Sequence, residues 1–167
     1  MHWKRLFRHL FSTHSDLRRA FPPAALSEIE AAIAESEHRH CGEIRVAIEA
    51  GLDPAQAWRG QSPGDRALEV FARLGVWDTA ANNGVLIYVL LADRAVHIIA
   101  DRGYEGRVAS EEWAAACRAM ESSFGRGEYR KGMLNGLHHV GGLVARHFPV
   151  AAGQRNPDEL PNRPVVL

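Results

Sequence analysis

The feature of this sequence that most constrains its fold is a pair of apolar segments separated by a short polar connection. The first segment is Val85–Leu91, the second is Ala95–Ala100, and Ala92–Arg94 joins them. Two β-branched apolar segments joined in this way are typical of a β-hairpin. The first segment is too uniformly apolar for a strand with one face in water. It is therefore predicted to be buried on both faces, in a sheet that helices cover on both sides.

The chain before the hairpin supplies two helices and a strand. Ser27, with Glu30 three residues later, has the pattern of a capping box, which predicts a helix that starts there and runs to about His40. Glu43–Glu49 alternates polar and apolar residues, which predicts a strand with one covered face. Ser62–Pro63 predicts the start of a second helix, because proline suits the first helical position.

Two more helices are predicted after the hairpin. Ser110 is placed to cap the first, and the second runs from about Tyr129 to His147 with four glycines inside it. Glycines at this density predict a close approach of the last helix to the sheet, since they carry no side chain. Residues 150–167 contain three prolines and little periodicity, so they are predicted to form a disordered tail.

The order of these elements predicts an α/β fold, a three-layer αβα sandwich. The helix between the first two strands makes them a right-handed parallel pair, and the hairpin places the third strand antiparallel to the second. The sheet is small and mixed, with three strands, or four if Gly103–Val108 adds a short one, and helices cover both faces. We divide the chain into a basic amphipathic segment over 1–21, a sandwich domain over 22–149 and the tail over 150–167.

Composition narrows the classes of partner. The 167 residues carry 20 basic and 20 acidic side chains, a formal net charge of zero. A general nucleic-acid-binding protein normally has a basic excess, so we expect no nucleic-acid partner. No apolar run approaches the ~20 residues of a transmembrane helix, and the N-terminus lacks the unbroken apolar stretch of a secretory signal. The expected location is cytoplasmic, with a peripheral position at the inner membrane as the alternative.

Residues 1–21 form the basic amphipathic segment. Its apolar residues recur at helical spacing; they are Trp3, Leu6, Phe7, Leu10 and Phe11. Five basic residues stand against one acidic residue, for a net charge of +4; they are Lys4, Arg5, Arg8, Arg18 and Arg19, against Asp16. Two interpretations stay open: the apolar stripe docks on the domain or on an unknown protein partner, or the segment lies on an anionic membrane surface.

The predicted topology brings polar residues together at one edge of the sheet. The starts of the first two strands and the end of the third lie there, because the first two are parallel and the third is antiparallel. The candidate metal ligands at this edge are Glu43, Asp78, Asn82, Asp101 and Glu105, and the candidate phosphate-binding residues are Arg102 and Arg107. Carboxylate and amide oxygens suit a hard cation such as Ca²⁺ or Mg²⁺, and arginines suit phosphate. The simpler alternative is a turn at Asn82–Gly84 and a surface ion pair between Asp101 and Arg102.

Five short motifs occur in order along the chain. They are Gly42-Glu43-Ile44, Asn82-Asn83-Gly84, Asp93-Arg94, Gly103-Tyr104-Glu105-Gly106, and the Gly-x-Tyr-x-x-Gly pattern of Gly127–Gly132. Together they resemble the TPM-domain family, named for its thylakoid-lumen, photosystem-associated and levamisole-receptor-modulating members. The resemblance covers about residues 24–148.

The resemblance implies the same αβα sandwich. It also implies that divalent cation binding and acid phosphatase activity, each found in some members, are candidate properties. Bacterial members often carry a signal peptide and a C-terminal transmembrane helix, and this chain resembles a cytoplasmic branch without them. Asn82 stands where the family pattern has Asp, which removes a charge from a metal site, and Tyr104 replaces a Leu without an obvious chemical consequence.

These observations favour a non-enzymatic binding module of the TPM type, acting through its helical faces and the basic segment. The alternative is a weak divalent-metal-dependent phosphatase, in which Glu43, Asp78, Asp101 and Glu105 act as acids and Arg102 holds the phosphate. The loss of a carboxylate at Asn82 favours the first interpretation, since fewer carboxylates hold a cation less well.

Overall fold

The computed structural model describes residues 3–167, with the side chain of Lys4 outside the described part along with Met1 and His2. Its helices are α1 Trp3–Phe11, α2 His14–Ala20, α3 Pro23–Glu37, α4 Pro54–Trp58, α5 Pro63–Arg73, α6 Ser110–Gly125 and α7 Tyr129–His147. The strands are β1 Glu43–Glu49, β2 Gly84–Leu90, β3 Ala95–Ala100 and β4 Val165–Val166, and 3₁₀ turns span Leu91–Asp93 and Arg102–Tyr104.

The four strands form one mixed sheet in the order β3-β2-β1-β4. β1 is parallel to β2 and to β4, and β2 is antiparallel to β3. One face packs against α2, α3, α6 and α7, and the other packs against α4 and α5. The chain is therefore a three-layer αβα sandwich, as its sequence predicts.

The central placement of β2 is confirmed by its burial. All seven of its residues are buried, and the side chain of Ile87 has no exposed surface. Ile87 joins the core below α3, α6 and α7, whereas its neighbours Leu86 and Tyr88 belong to the core below α4 and α5. Because helices cover both faces of the sheet, neither face of β2 meets water, and the strand is apolar throughout.

Helix boundaries differ from the predicted ones at two places. α3 begins at Pro23 rather than at Ser27, because proline occupies its first turn and Ser27 lies one turn inside the helix. Between β1 and α5 the chain forms a further short helix, α4, which begins after Asp53 and which the sequence patterns did not predict. Ser62 does cap α5, where its hydroxyl oxygen accepts a hydrogen bond from the Asp65 N–H at 3.0 Å.

The prediction that β1 has one covered face is wrong. All seven residues of β1 are buried, including the polar side chains of Glu43, Arg45 and Glu49. The Arg45 guanidinium donates to the carbonyl oxygens of Pro161 and Arg163, so the C-terminal segment covers the face that the alternation assigned to water.

The C-terminal segment is also not the disordered tail that its prolines predict. Residues 165–166 pair with Ala47 and Ile48 of β1 as the fourth strand, and Leu160 is buried in the core below α4 and α5. The expected short strand over Gly103–Val108 is wrong, because that stretch starts with a 3₁₀ turn.

The glycines of α7 allow close approach to other helices rather than to the sheet. A Cβ at Gly136 would overlap the Met120 side chain of α6, and one at Gly141 would overlap the Ser36 hydroxyl of α3. The predicted helix-to-sheet contact is therefore replaced by contacts within the helical layer. No helix in the described part of the chain is both long and apolar enough to cross a membrane.

Candidate functional site

The strand register places several of the predicted residues at one edge of the sheet. Glu43 of β1 lies opposite Gly84 of β2, and the Asp101 N–H donates to the Gly84 carbonyl oxygen at 2.9 Å. The starts of β1 and β2 and the end of β3 therefore share an edge, here called the sheet edge, with Asn82 and Asn83 in the loop before β2.

A tight contact between two loops organises the sheet edge. Asn82 adopts a left-handed conformation, with φ of 51°, which asparagine tolerates better than most residues. Its backbone oxygen accepts the Gly103 N–H at 2.9 Å, and its side-chain Oδ1 accepts the Arg102 Nε–H at 2.8 Å. A Cβ at position 103 would overlap the Asn82 carbonyl oxygen, so this contact requires glycine. The amide of Asn82 thus serves to join the loops.

Tyr104, which like Asn82 departs from the family pattern, has a definite role in this edge. It is buried, and its hydroxyl donates to the Asn83 carbonyl oxygen at 2.9 Å. The Asn83 side-chain N–H₂ donates in turn to the Cys41 carbonyl oxygen at 2.8 Å. Burial, followed by the charges of Asp101 and Glu43, raises the pKa of Tyr104, so it acts as a neutral hydrogen-bond donor.

Glu43 is fully buried and forms a pair with Glu37 of α3. The Glu43 Oε2 atom accepts the Leu160 N–H at 3.1 Å, so the C-terminal segment covers it, and burial raises its pKa. Burial, followed by the negative charge of Glu43, raises the pKa of Glu37 from 4.5 to about 8. The Ile44 N–H donates to Glu37 Oε1 at 3.5 Å. Because its pKa lies above 7, Glu37 is mainly protonated at neutral pH.

Three buried oxygen atoms at or near the sheet edge lack a hydrogen-bond partner. They are Glu43 Oε1, Asn83 Oδ1 and Asp101 Oδ2. Buried acceptors are normally satisfied, so such atoms call for a ligand, a water or a proton. Within residues 3–167, however, no three His, Cys, Asp or Glu side chains are grouped to hold a metal ion.

The remaining predicted site residues, apart from Asn82, lie at the surface, outside this group of buried oxygens. Asp78 and Glu105 are exposed. Arg102 is exposed and donates to Asn82, and Arg107 is exposed with its guanidinium 5.3 Å from the centre of the Phe148 ring. This cation–π contact places the Arg107 guanidinium against the aromatic ring.

A second candidate site involves α1, which is held to the domain by its polar face. The Asp93 carboxylate accepts hydrogen bonds from Arg5 Nε at 3.0 Å and from Arg8 at 3.1 Å, and His9 Nε2 lies 3.3 Å from it. His9 Nδ1 accepts the Leu52 N–H at 3.0 Å. Burial alone would raise the pKa of Asp93, but its bonds to His9 and Arg5 outweigh burial and hold that pKa well below its usual range.

The opposite face of α1 carries exposed apolar side chains. These residues and one of α4 form what we call the docking face, which consists of Trp3, Phe7, Leu10, Phe11 and Trp58, between 49% and 73% exposed. The rings are mutually arranged: Trp3 meets Trp58 edge-on at 5.6 Å, and Phe7 stacks on Phe11 at 6.2 Å. Only Leu6 of the predicted apolar stripe turns toward the core. The segment therefore does dock on the domain, but through Arg5, Leu6 and His9.

Sequence reasoning missed Glu37 and the Asp93 cluster. A signal for the cluster was present, because Arg5, Arg8 and His9 are spaced three and four residues apart and so share one face of a helix. Nothing in the local sequence marks Glu37 as buried. Its environment depends on the turn that brings Glu43 back beside it and on Asp158 and Asn162 of the C-terminal segment, which is distant in the chain.

Fold and site together define a small αβα-sandwich domain with a loop-joined sheet edge and an N-terminal helical extension. The family model of the TPM domain matches residues 15–143, so the chain belongs to the TPM-domain family. Among curated proteins, none matches this chain.

Solved structures with this fold include three determined by NMR. BA42 from the psychrophilic bacterium Bizionia argentinensis is 30% identical, with a TM-score of 0.74, and the match covers 86% of this chain and 93% of that one. The N-terminal domain of a P. gingivalis protein is 20% identical, with a TM-score of 0.59 and coverage of 75% and 79%. The N-terminal domain of cg2496 from Corynebacterium glutamicum is 16% identical, with a TM-score of 0.53 and coverage of 73% and 72%. The last two are similar in fold alone.

Proposed function

We propose that this chain is a non-enzymatic TPM-domain binding module that docks on an anionic membrane surface through the docking face. The observation that carries the proposal is the orientation of α1. Its charged side faces the domain at Asp93, while Trp3, Phe7 and Phe11 face outward. A helix that packs only to complete a core would show the opposite arrangement.

Aromatic side chains of this kind suit the boundary between lipid headgroups and acyl chains. Tryptophan has an apolar ring system and a polar N–H. It is therefore favoured at membrane–water interfaces, where the ring contacts acyl chains and the N–H stays hydrated. The docking face brings two tryptophans, two phenylalanines and a leucine to one surface, a cluster that a monomer in water rarely exposes.

Charge favours an anionic lipid surface over a neutral or basic partner. Arg18 and Arg19 of α2, Arg59 after α4 and Arg94 after the 3₁₀ turn are all exposed, on elements next to the docking face. Each basic residue near an anionic bilayer contributes about 1 kcal/mol. The whole chain has zero net charge, so these arginines show an uneven distribution of charge and not a basic protein.

The test is co-sedimentation with vesicles of phosphatidylcholine and phosphatidylglycerol at low salt. We expect the wild type to bind and to dissociate as salt rises, and the double variant Phe7→Ser with Phe11→Ser to bind at least about tenfold more weakly. Leu68→Ser is the matched control, since Leu68 is 57% exposed on α5 outside the docking face.

Two results would contradict the proposal. One is a wild-type protein that stays in the supernatant with anionic vesicles at low salt. The other is self-association of the free protein that the Phe7 and Phe11 substitutions abolish, because the docking face would then be an interface between copies of the chain.

A second candidate function is divalent cation binding at the sheet edge. The unpartnered oxygens of Glu43, Asn83 and Asp101 favour it, because a cation such as Ca²⁺ or Mg²⁺ would satisfy them. Asp78, Asn82 and Glu105 are the further candidate ligands. Phosphomonoester hydrolysis is its catalytic version, with Arg102 and Arg107 for the phosphate.

Cation binding is better supported than catalysis, because the C-terminal segment covers Glu43 through Leu160 and a substrate would have to displace it. A cation that binds only the folded protein must raise its melting temperature once its concentration exceeds Kd. We expect millimolar Ca²⁺ or Mg²⁺ to raise the melting temperature of the wild type. An unchanged melting temperature with both ions would reject this candidate.

A further inference from the structure

A cleft opens beside the docking face, between the N-terminal helices, the 3₁₀ turn after β2 and the start of α7. Its volume is about 840 Å³, and Phe11 and Arg8 of α1 form part of its wall. The other charged residues on the wall are Asp16, Arg19 and Arg94, and Tyr129 adds an aromatic ring. Three arginines against one aspartate give the cleft a formal charge of +2.

The acidic groups near this cleft are already engaged. Asp16 accepts hydrogen bonds from the Thr13 N–H at 3.0 Å and the Thr13 hydroxyl at 2.9 Å, in the capping box of α2. Asp93 is bound by Arg5, by one nitrogen of Arg8 and by His9. Asp16 keeps its negative charge and attracts Arg19 electrostatically, so it offsets part of the positive charge of the cleft.

Two arginines are left available to a ligand. Within residues 3–167, no carboxylate oxygen lies within 4.0 Å of the guanidinium of Arg19 or Arg94. They come from separate elements, the last turn of α2 and the left-handed residue that ends the 3₁₀ turn, yet both line the same cleft. Guanidinium groups bind phosphate through paired N–H donors, and two different walls of the cleft each supply one such group.

We propose that this cleft binds a phosphate monoester group, with Arg19 and Arg94 as its main contacts and Arg8 at its border with the docking face. The inference rests on the proposed function, because a cleft at the margin of the docking face is placed for the headgroup of a lipid in the docked bilayer. The same chemistry is offered by a free phosphate ester in solution, and the experiment separates the two sources.

The neighbouring residues Arg18 and Arg19 provide a matched pair of variants. Both are exposed in the last turn of α2 and carry the same charge, but only Arg19 lines the cleft. Arg19→Gln and Arg94→Gln test the cleft, and Arg18→Gln is the control. Because all three side chains are exposed, the variants are expected to keep the melting temperature of the wild type.

In the first arm, glycerol phosphate is titrated into the labelled protein at low salt, and the backbone amide resonances of Ala92 and Gly127 on the cleft wall are followed by NMR. If a free ester is the ligand, these resonances shift to saturation. Arg19→Gln and Arg94→Gln then each raise Kd by about tenfold or more, whereas Arg18→Gln leaves it unchanged.

In the second arm, vesicles of phosphatidylcholine and phosphatidic acid replace the soluble ester. Removing any one positive charge near the membrane surface is expected to weaken vesicle binding by about fivefold. Arg18→Gln measures this baseline, because Arg18 does not line the cleft. If a lipid headgroup is the ligand, Arg19→Gln and Arg94→Gln weaken binding well beyond the baseline, even when glycerol phosphate alone causes no shift.

The proposal is overturned if glycerol phosphate leaves both resonances unchanged and all three variants bind vesicles equally. If the wild type still binds vesicles in that case, the cleft is rejected as a phosphate site, but the proposed membrane docking is not. A wild type that ignores vesicles but shows the glycerol phosphate response would reject the proposed function and keep the cleft as a site for a soluble ester.

Discussion

Replacing Glu37 with Gln should stabilise the protein at neutral pH and change how its stability depends on pH. Glu37 is 4% exposed, lies beside Glu43 and has a pKa raised from 4.5 to about 8. Between these pH values the folded protein holds a proton that the unfolded chain releases. The free energy of unfolding therefore falls as pH rises from about 4.5 toward 8.

The size of the effect follows from this pKa. Each pH unit above 4.5 costs about 1.4 kcal/mol until the carboxyl group ionises in the folded protein as well. At pH 7 the cost is about 3 kcal/mol, and at pH 4 it is close to zero. Glutamine keeps an oxygen to accept the Ile44 N–H but never ionises, so the variant avoids this cost.

The assay is urea denaturation of the wild type and of Glu37→Gln at several pH values between 4 and 8. The difference between the two should grow with pH and reach about 3 kcal/mol in favour of the variant near pH 7. Glu35→Gln is the control, because the Glu35 side chain is 78% exposed on the same helix. A variant that is less stable than the wild type at every pH, or a difference that does not change with pH, would refute this reasoning.

Three further substitutions test other parts of the structure. Ile87→Ala should lower the free energy of unfolding by about 2–5 kcal/mol, measured by urea denaturation, and a loss below ~1 kcal/mol would contradict the buried position of β2. Asp93→Asn should lower it by about 2–4 kcal/mol and speed tryptic cleavage within α1, because Arg5 and His9 lose their partner; unchanged cleavage would show that Asp93 does not hold the helix. Asp101→Asn should reduce any rise in melting temperature caused by Ca²⁺ or Mg²⁺, and an equal rise in both proteins would exclude Asp101 as a ligand.

The layered fold was predictable because its main signals are local. The apolar segments of β2 and β3 and the turn between them specify a hairpin, and the helix α5 between β1 and β2 requires a parallel crossover. From that topology the shared edge of Glu43, Asn82 and Asp101 follows without coordinates. The five family motifs pointed to the same fold.

The burial of polar residues was not predictable from local sequence. Glu43, Arg45 and Glu49 give β1 an alternating pattern, but the C-terminal segment covers Glu43 and Arg45, and Arg66 of α5 pairs with Glu49 in the interior. The C-terminal segment itself has too little periodicity to reveal a strand of two residues, whose pairing depends on the free edge of β1.

The orientation of α1 could not be predicted from its amphipathic pattern either. The pattern shows that apolar and basic residues occupy different faces, yet it does not say which face meets the domain. Asp93 decides it, because a nearly buried carboxylate needs cationic partners, and Arg5 and Arg8 supply them.

The most direct test of membrane docking is the depth of individual tryptophans in a bilayer. Trp3 lies in the docking face, whereas Trp77 lies in the loop before β2 and is similarly exposed, at 54%. The 3₁₀ turn that contacts α1 follows the other end of β2, so Trp77 lies away from the docking face. Two variants, each retaining one of these residues as the single tryptophan, are mixed with anionic vesicles that contain brominated lipids. The account predicts strong quenching of Trp3 emission and little quenching of Trp77. Equal quenching of the two, or none for Trp3, would contradict it.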